Sequence, residues 1–404
     1  MSSDVKLMNR ATILTELLAS SPTTRTAIVE ATGLSGATVT RTIDALTEEN
    51  LVRELTGIPT ESRGRPPIPL EVIGERSLVL GVDLGASNTR LVVADLTGRP
   101  VLVKRVETPV DLAPAQLGSW LAELLHTAAS DLWPRIEAVA LGLPGAVNPT
   151  GRVITNAPHL PQVEGAIFLT ILERELGLSI EIDNDANYAL LGEAHFGAAR
   201  RSPNAVMFTL GAGLGAGISI DGHLQRGSNG LVGEFGSLPI GPLGSRLEHL
   251  VTGRGIMLRA SELGLHLQSP ADIFAATDDK VIQALRVQFE QALLVALTAA
   301  IVSCDPETIV LGGGIAPSLR GSTDFLRQAL IQNLRTAPVI VIAELGDLSG
   351  ALGAAVQALH KVYLSLGIQI EELPRVPARR KVDLSKLLTR DWRRRESGGT
   401  SGAA

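Results

Sequence analysis

VMFTLGAGLGAGISIDGHLQRGSNGLVGEFGSLPIGPLGSRLEHL, residues 206–250, is the stretch whose reading decides the fold. A short apolar strand over 206–210 runs into Gly211-Ala212-Gly213-Leu214-Gly215-Ala216-Gly217, and a second strand over 218–220 leads to the turn Asp221-Gly222. Gly230, Gly233, Glu234, Gly236, Ser237 and Glu248 follow. Glycines this dense bring backbone close to something, and they accept the positive φ values that such loops need. A strand, a glycine loop and a second strand are not the strand–loop–helix of a dinucleotide fold or a Walker loop. The stretch therefore points to another nucleotide- or sugar-binding architecture of the α/β class.

The composition around it sets limits. A chain of 404 residues allows two to three domains. Hydrophobic residues make up 45% and aromatics only 3%, so the cores are built from Leu, Val, Ile and Ala. The net charge of −6 gives no global case for nucleic-acid binding. Its distribution is uneven: residues 375–396 hold nine Lys and Arg against Asp383, Asp391 and Glu396. The single cysteine, Cys304, excludes an intramolecular disulfide and any zinc site built on several thiolates. It follows an apolar run and reads as a small buried hydrophobe. No signal pattern opens the chain, and the longest apolar run, 292–304, is too short to span a bilayer. A cytoplasmic protein without a membrane partner is expected.

Working back to the N-terminus, residues 5–19 have apolar positions at helical spacing, and Ser21-Pro22 ends that helix. A second helix over 24–32 stops at Gly33, and Ser35 caps a third over 36–49 with Val39, Ile43 and Leu46 on one face. Two helices joined by Gly-Leu-Ser read as a helix-turn-helix, and strands over 51–55 and 68–73 add a wing. Its second helix suits a major groove, and Ser35, Ala37, Thr38, Arg41 and Thr42 are the candidate contacts. At the wing tip, Arg63-Gly64-Arg65 followed by Pro66-Pro67 suits a narrow minor groove. Residues 1–72 carry seven basic and nine acidic residues, so DNA affinity has to come from local placement.

Between 75 and 197 the order is three strands, a helix and a strand, then a helix over 164–176 and a strand over 180–182 that leads into Asn184-Asp185-Ala186-Asn187. From 206 the same order starts again and ends in a helix over 350–366. This weak duplication implies two lobes facing each other across a cleft. The expected domains are 1–74, 75–197, 198–367 with its last helix returning to the first lobe, and a basic, disordered tail over 368–404.

In order, GLSGATVTRTIDALTEENLV, GRPP, GVDLGASNTRLVVADLTG, GLPGAV, NDAN, LGAGLGAGISIDGHLQRGSNGLVGEFG and IVLGGGI resemble the ROK family (repressors, open reading frames and kinases) over nearly all of residues 9–366. The winged helix resembles its transcriptional-regulator branch. The resemblance implies a winged-helix DNA-binding domain followed by a two-lobed sugar-kinase/actin-like ATPase (ribonuclease H-like) domain. It implies double-stranded DNA with a pseudo-palindromic operator and a sugar effector as partners, in a homodimer or homotetramer.

Carried over by motif, Asn184 and Asp185 match the family's sugar-binding and catalytic-base pair. Glu234 and Glu248 match two glutamates of the same site. Gly151, Arg152, Asn156 and His159 resemble a loop on its other wall. Ser237 stands where relatives have a histidine shared between sugar and zinc, and the loop 241–248 has none of their cysteines. No metal is therefore expected, and metal analysis of purified protein should find no stoichiometric zinc. The phosphate loops survive as remnants, with Asp83, Gly85 and Ser87 in the first and Gly211 and Gly213 in the second. Ala86 replaces a glycine and Asn88 a lysine. A phosphate pocket lacking that cation reads as degraded, so the expectation is a sugar-responsive repressor without kinase activity or cofactor. An ATP-dependent sugar kinase with Asp185 as base and a ligand-independent DNA-binding protein are the alternatives.

Overall fold

The computed structural model describes residues 3–55, 68–148, 150, 152–240 and 244–383. The wing-tip residues Arg63, Gly64 and Arg65, together with Gly151 and the end of the basic tail, lie outside these.

The N-terminal unit runs α1 (Ser3–Ser20), β1 (Thr23–Thr24), α2 (Arg25–Thr32), α3 (Gly36–Glu48), β2 (Val52–Glu54) and β3 (Pro69–Val72). Thr24 caps α2 by accepting from the Ala27 amide. Gly33, at φ +68°, ends α2, and Ser35 caps α3. Val39, Ile43 and Leu46 are buried at helical spacing. The three strands form one antiparallel sheet, ordered β1-β3-β2. Periodicity misses β1, because two residues carry no pattern.

The first lobe begins with β4 (Leu78–Leu84), β5 (Asn88–Asp95) and β6 (Pro100–Glu107), then α4 (Pro114–Ala128) and β7 (Ile136–Leu143). A small ribbon, β8 (Ala146–Val147) and β9 (Ile154–Thr155), precedes α5 (Ile167–Leu176), β10 (Ile180–Asn184) and α6 (Asp185–Phe196). The sheet order is β10-β7-β4-β5-β6. The second lobe has β11 (Ala205–Leu210), β12 (Leu214–Ile220) and β13 (His223–Leu224), then α7 (Glu248–Val251), α8 (Gly253–Glu262) and α9 (Lys280–Cys304). It closes with β14 (Thr308–Gly312), α10 (Thr323–Leu334), β15 (Val339–Ile342) and α11 (Ser349–Ser365). Its sheet order is β13-β12-β11-β14-β15. The two orders are the same: three antiparallel strands, then two more parallel to the first.

Between the sheets lie α6 and α11. The first packs on β11 and β12, the second on β4, β5 and β7. They approach with no room for side chains. A Cβ on Gly192 would stand 2.3 Å from the Ser349 carbonyl oxygen, and one on Gly353 1.7 Å from that of Tyr188. Helices α4 and α5 cover the outer face of the first sheet, and α7 to α10 that of the second. Helix α9 is long and apolar enough to cross a membrane, but Phe289, Leu293, Leu297 and Ile301 are buried in the second lobe's core.

Two expectations need correction. The glycine loop is shorter than 211–217: the turn is Gly211–Gly213, and β12 starts at Leu214. Gly215 and Gly217 are strand residues because the start of α6 lies on them, and a Cβ on Gly217 would stand 2.5 Å from the Ala186 carbonyl oxygen. Nor is the chain after 368 a disordered tail as far as 383. Ile368 and Val376 are buried, with a 3-10 turn (Ile370–Arg375) between them. This strap donates from the Ala378 amide to the Leu18 carbonyl of α1 at 3.2 Å, and Arg375 reaches Glu16 at 3.3 Å. His195 Nδ1 pairs with the Pro377 carbonyl and His360 Nε2 with that of Val376. One contiguous core runs from Ile13 and Ile43 through Val79 and Leu352 to Val376.

Candidate functional site

The end of β10 supplies the central pair. Asn184 caps α6 by accepting from the Ala186 and Asn187 amides, and its own amide donates to the Gly145 carbonyl at 2.8 Å. Asp185 is the first helical residue, and its Oδ1 accepts from the Ala186 amide at 2.8 Å. Capping and ligand binding are compatible for this pair, since Asn184 caps the helix while the Asp185 carboxyl lies near those of Asp83 and Glu234.

Burial pushes the Asp185 carboxyl up to about 7, with Asp83 and Glu234 adding repulsion. Asp83 is itself raised to about 6 by burial, against the pull of Arg90 at 3.3 Å. Glu234 is raised by burial and by Glu248. The repulsion runs between neighbours, Asp83 with Asp185, Asp185 with Glu234 and Glu234 with Glu248. An acidic cluster of this kind suits hydrogen bonding to hydroxyls, and an acid near 7 can take a proton from one.

The remaining residues divide. Asn156, at φ +56°, donates to Glu234 Oε2 at 3.3 Å across the lobes. Its loop is pinned by Glu164, which accepts from the Ala157 amide. His159 lies against the glycine turn: a Cβ on Gly213 would stand 3.3 Å from its Nε2. His159, Ala212 and Glu248 border a cleft of about 800 Å³ that extends along α7, α8 and α9. Ser237 is exposed, and its amide donates to the Glu234 carbonyl in a 3-10 turn. Arg152 does not join the site. Its guanidinium bonds Glu173 and the Ile180 carbonyl, on the outer side of β10.

Around the first hairpin, the Gly85 amide donates to the Asn88 carbonyl, and the Ser87 carbonyl accepts from the Thr108 amide. Gly211 has open space where a side chain would stand. The reading of this hairpin as lacking a cation needs correction. Arg90 and Arg105 are cross-strand partners; Arg90 bonds Asp83 and Asp347, and Arg105 bonds Asn88 Oδ1. Strand alternation puts residues 88 and 90 on one face, so position 88 alone does not report the local charge. The serine and cysteine-free loop do not fit zinc, and no metal-ligand cluster occurs among the described residues.

On the N-terminal unit, Ser35, Ala37 and Arg41 are exposed on α3, while Thr38 and Thr42 are half-buried. The Thr38 hydroxyl is engaged with Ser35 at 2.9 Å. Thr40 is exposed beside Ala37 and Arg41 and was missed; counting four residues back from Asp44 on the polar face would have found it.

The ROK family model matches residues 79–361, and the chain belongs to the ROK family. Within it, the chain is 34% identical over 310 residues to the bifunctional enzyme NanE/NanK of Brucella melitensis, covering 73% of this chain and 55% of that one. It therefore spans about half the length of the first curated relatives it matches. It is 30% identical to the N-acetyl-D-glucosamine kinase of Yersinia pseudotuberculosis, over 68% of this chain and 97% of that one. It is 25% identical to the xylose repressor of Bacillus subtilis, over 86% and 94%. Among solved structures, the ROK hexokinase of Thermus thermophilus covers 70% of this chain at a TM-score of 0.61 and 30% identity, with 99% of that chain matched. A ROK family transcriptional regulator, a homologue of the E. coli MLC protein, covers 92% at 0.70 and 24% identity, again with 99% of that chain matched, and shows the fold. The expectation of no kinase activity is thereby overturned: relatives at 30–34% identity are named as an N-acetyl-D-glucosamine kinase and as the bifunctional enzyme NanE/NanK, and the ROK hexokinase is 30% identical.

Proposed function

We propose that the chain is a sugar-responsive DNA-binding transcriptional regulator. The carrying observation is that the α3 face of Ala37, Thr40 and Arg41 is exposed on a unit whose core is continuous with the lobe that bears Asn184 and Asp185. In this reading α1, α2, α3, β2 and β3 are a winged helix-turn-helix, and α3 enters a major groove. A homodimer on a pseudo-palindromic operator places two copies of α3 about one helical turn apart. The xylose repressor, matched over most of its length, supports this reading. The effector is a sugar bound by Asp185, Glu234, Glu248 and Asn156. It shifts DNA affinity only as far as it binds the two lobe arrangements differently.

The test is operator binding by the full-length protein, with the operator found by genome-wide mapping and a panel of hexoses, pentoses and N-acetylated hexosamines. A sugar should change the affinity, and Arg41→Ala should weaken binding by about 1–3 kcal/mol. Affinity unchanged by every sugar sinks the switch, and failure to enrich any DNA sinks the regulator.

A second reading is favoured by the Asp185 carboxyl near 7: sugar phosphorylation, with Asp185 as base. It is compatible with DNA binding in one chain. Coupled measurement of ADP release with the same panel should then give turnover, abolished in Asp185→Asn; no turnover with any sugar removes this reading.

A further inference from the structure

Strand β10 has two sides. Asp185 is already the first residue of α6, and within the strand Asp183 points to the side opposite Asn184, as alternation requires. Behind it is a second cavity of about 450 Å³, walled by α6, β13, α11 and the strap. Its volume lies within the range of small-molecule pockets, about 300–1,000 Å³.

Polar and apolar side chains share its lining, and among the charged ones Lys361 is paired with Glu181 at 2.9 Å. Asp183, 3% exposed, accepts from Arg226 Nε at 2.6 Å and from Asn187 Nδ2 at 2.8 Å. The two terminal nitrogens of Arg226 bond nothing among the described residues. Tyr188 is only 1% exposed and lines the same cavity, and its hydroxyl has no hydrogen-bond partner among the described residues. Burial and the nearby Asp183 push that phenol well above its usual range, so it is a neutral donor. Leu191, Leu224, Leu364 and Leu373 supply apolar wall.

We propose that this cavity is a second ligand site, which takes a small organic acid with its carboxylate on Arg226 and the Tyr188 hydroxyl and its apolar body against Leu191, Leu224, Leu364 and Leu373. A planar carboxylate fits the free fork of a guanidinium better than a sugar hydroxyl does. The occupant touches Ile370, Leu373 and Pro374 of the strap, whose next residues bond α1. It therefore stands between the back of the sugar site and the N-terminal unit. The inference holds whether the chain reads DNA, phosphorylates a sugar or does both.

The experiment is saturation-transfer NMR and calorimetry on the full chain with benzoate and hexanoate as probes. Acetate lacks the apolar body and hexanol lacks the charge. Both acids should bind at millimolar concentration or tighter, and both controls at least about tenfold more weakly. Tyr188→Phe removes only an unpartnered hydroxyl and should leave the fold and sugar binding intact while weakening both acids several-fold. Arg226→Lys keeps the charge beside Asp183 but loses the fork, with a similar loss expected. Bound benzoate should also slow amide exchange over 370–380. Absence of binding by either acid, or binding unchanged in Tyr188→Phe, overturns the proposal.

Discussion

Asp185 carries the largest electrostatic cost in the cleft. Its carboxyl is raised from 3.8 to about 7 by burial first and by Asp83 second. A folded-state pKa above the unfolded one means that the native chain holds the proton more tightly. The contribution of Asp185 is therefore most favourable below the unfolded value and is lost as pH rises through the folded value. Denaturant unfolding of wild type and Asp185→Asn between pH 4 and 8 should show a difference that grows in favour of the variant up to about pH 7 and then levels off. Its ceiling is about 4 kcal/mol, lowered by the partial exposure of the side chain. A constant difference across that range would refute the assignment of the shift to Asp185. In the proposed function a sugar hydroxyl adds a partner at this carboxylate, so ligand affinity should vary most over the same interval.

The α6–α11 contact concentrates the packing demands of the fold. Glu193, fully buried on α6, accepts from the Ala198, Glu344 and Leu345 amides and from the Ser349 hydroxyl. Glu193→Ala leaves those donors unpaired, at about 1–3 kcal/mol each. A stability loss of roughly 3 kcal/mol or more is expected in urea unfolding; a loss under about 1 kcal/mol would mean that the donors find other partners. Gly353→Ala should be comparably harmful, because a Cβ there meets the Tyr188 carbonyl rather than a side chain that can move. At this scale the sequence was legible where periodicity is strong: α9, α11 and most strands of both sheets fall within a few residues of expectation. It was silent on Glu193, since a glutamate in a helix announces nothing about three donors from a segment about 150 residues on. It was misleading at Gly215 and Gly217, where glycine marks a helix lying on a strand and not a loop. In the cleft, the motif positions Asp185, Glu234 and Glu248 converge, but Arg152 is committed elsewhere and the cations at Arg90 and Arg105 went unread. Side-chain direction across strands is what the linear order withholds.

For the whole molecule, the strap is the bridge between units. Its two imidazole anchors are neutral: burial takes His195 well below its usual range and His360 to about 4. Depressed histidines contribute stability that is complete above about 6.5 and is lost as pH falls through the folded value. Amide exchange over 374–380 should therefore accelerate, relative to β4, between pH 6.5 and 4. His360→Ala should flatten that change while removing the bond to Val376. Protection that stays level over this interval would indicate that the imidazoles do not hold the strap.

The family match ends at residue 361, and the fold does not. Ile368 and Val376 complete a core that Ile13 and Leu46 begin, so the segment shared with plain kinases is shorter than the body that has to fold. The span of the family model and the body that has to fold have different lengths here. Trimming this chain to the span of the family model strips the carbonyl partners from two buried histidines and bares the hydrophobic face that Ile368 and Val376 cover.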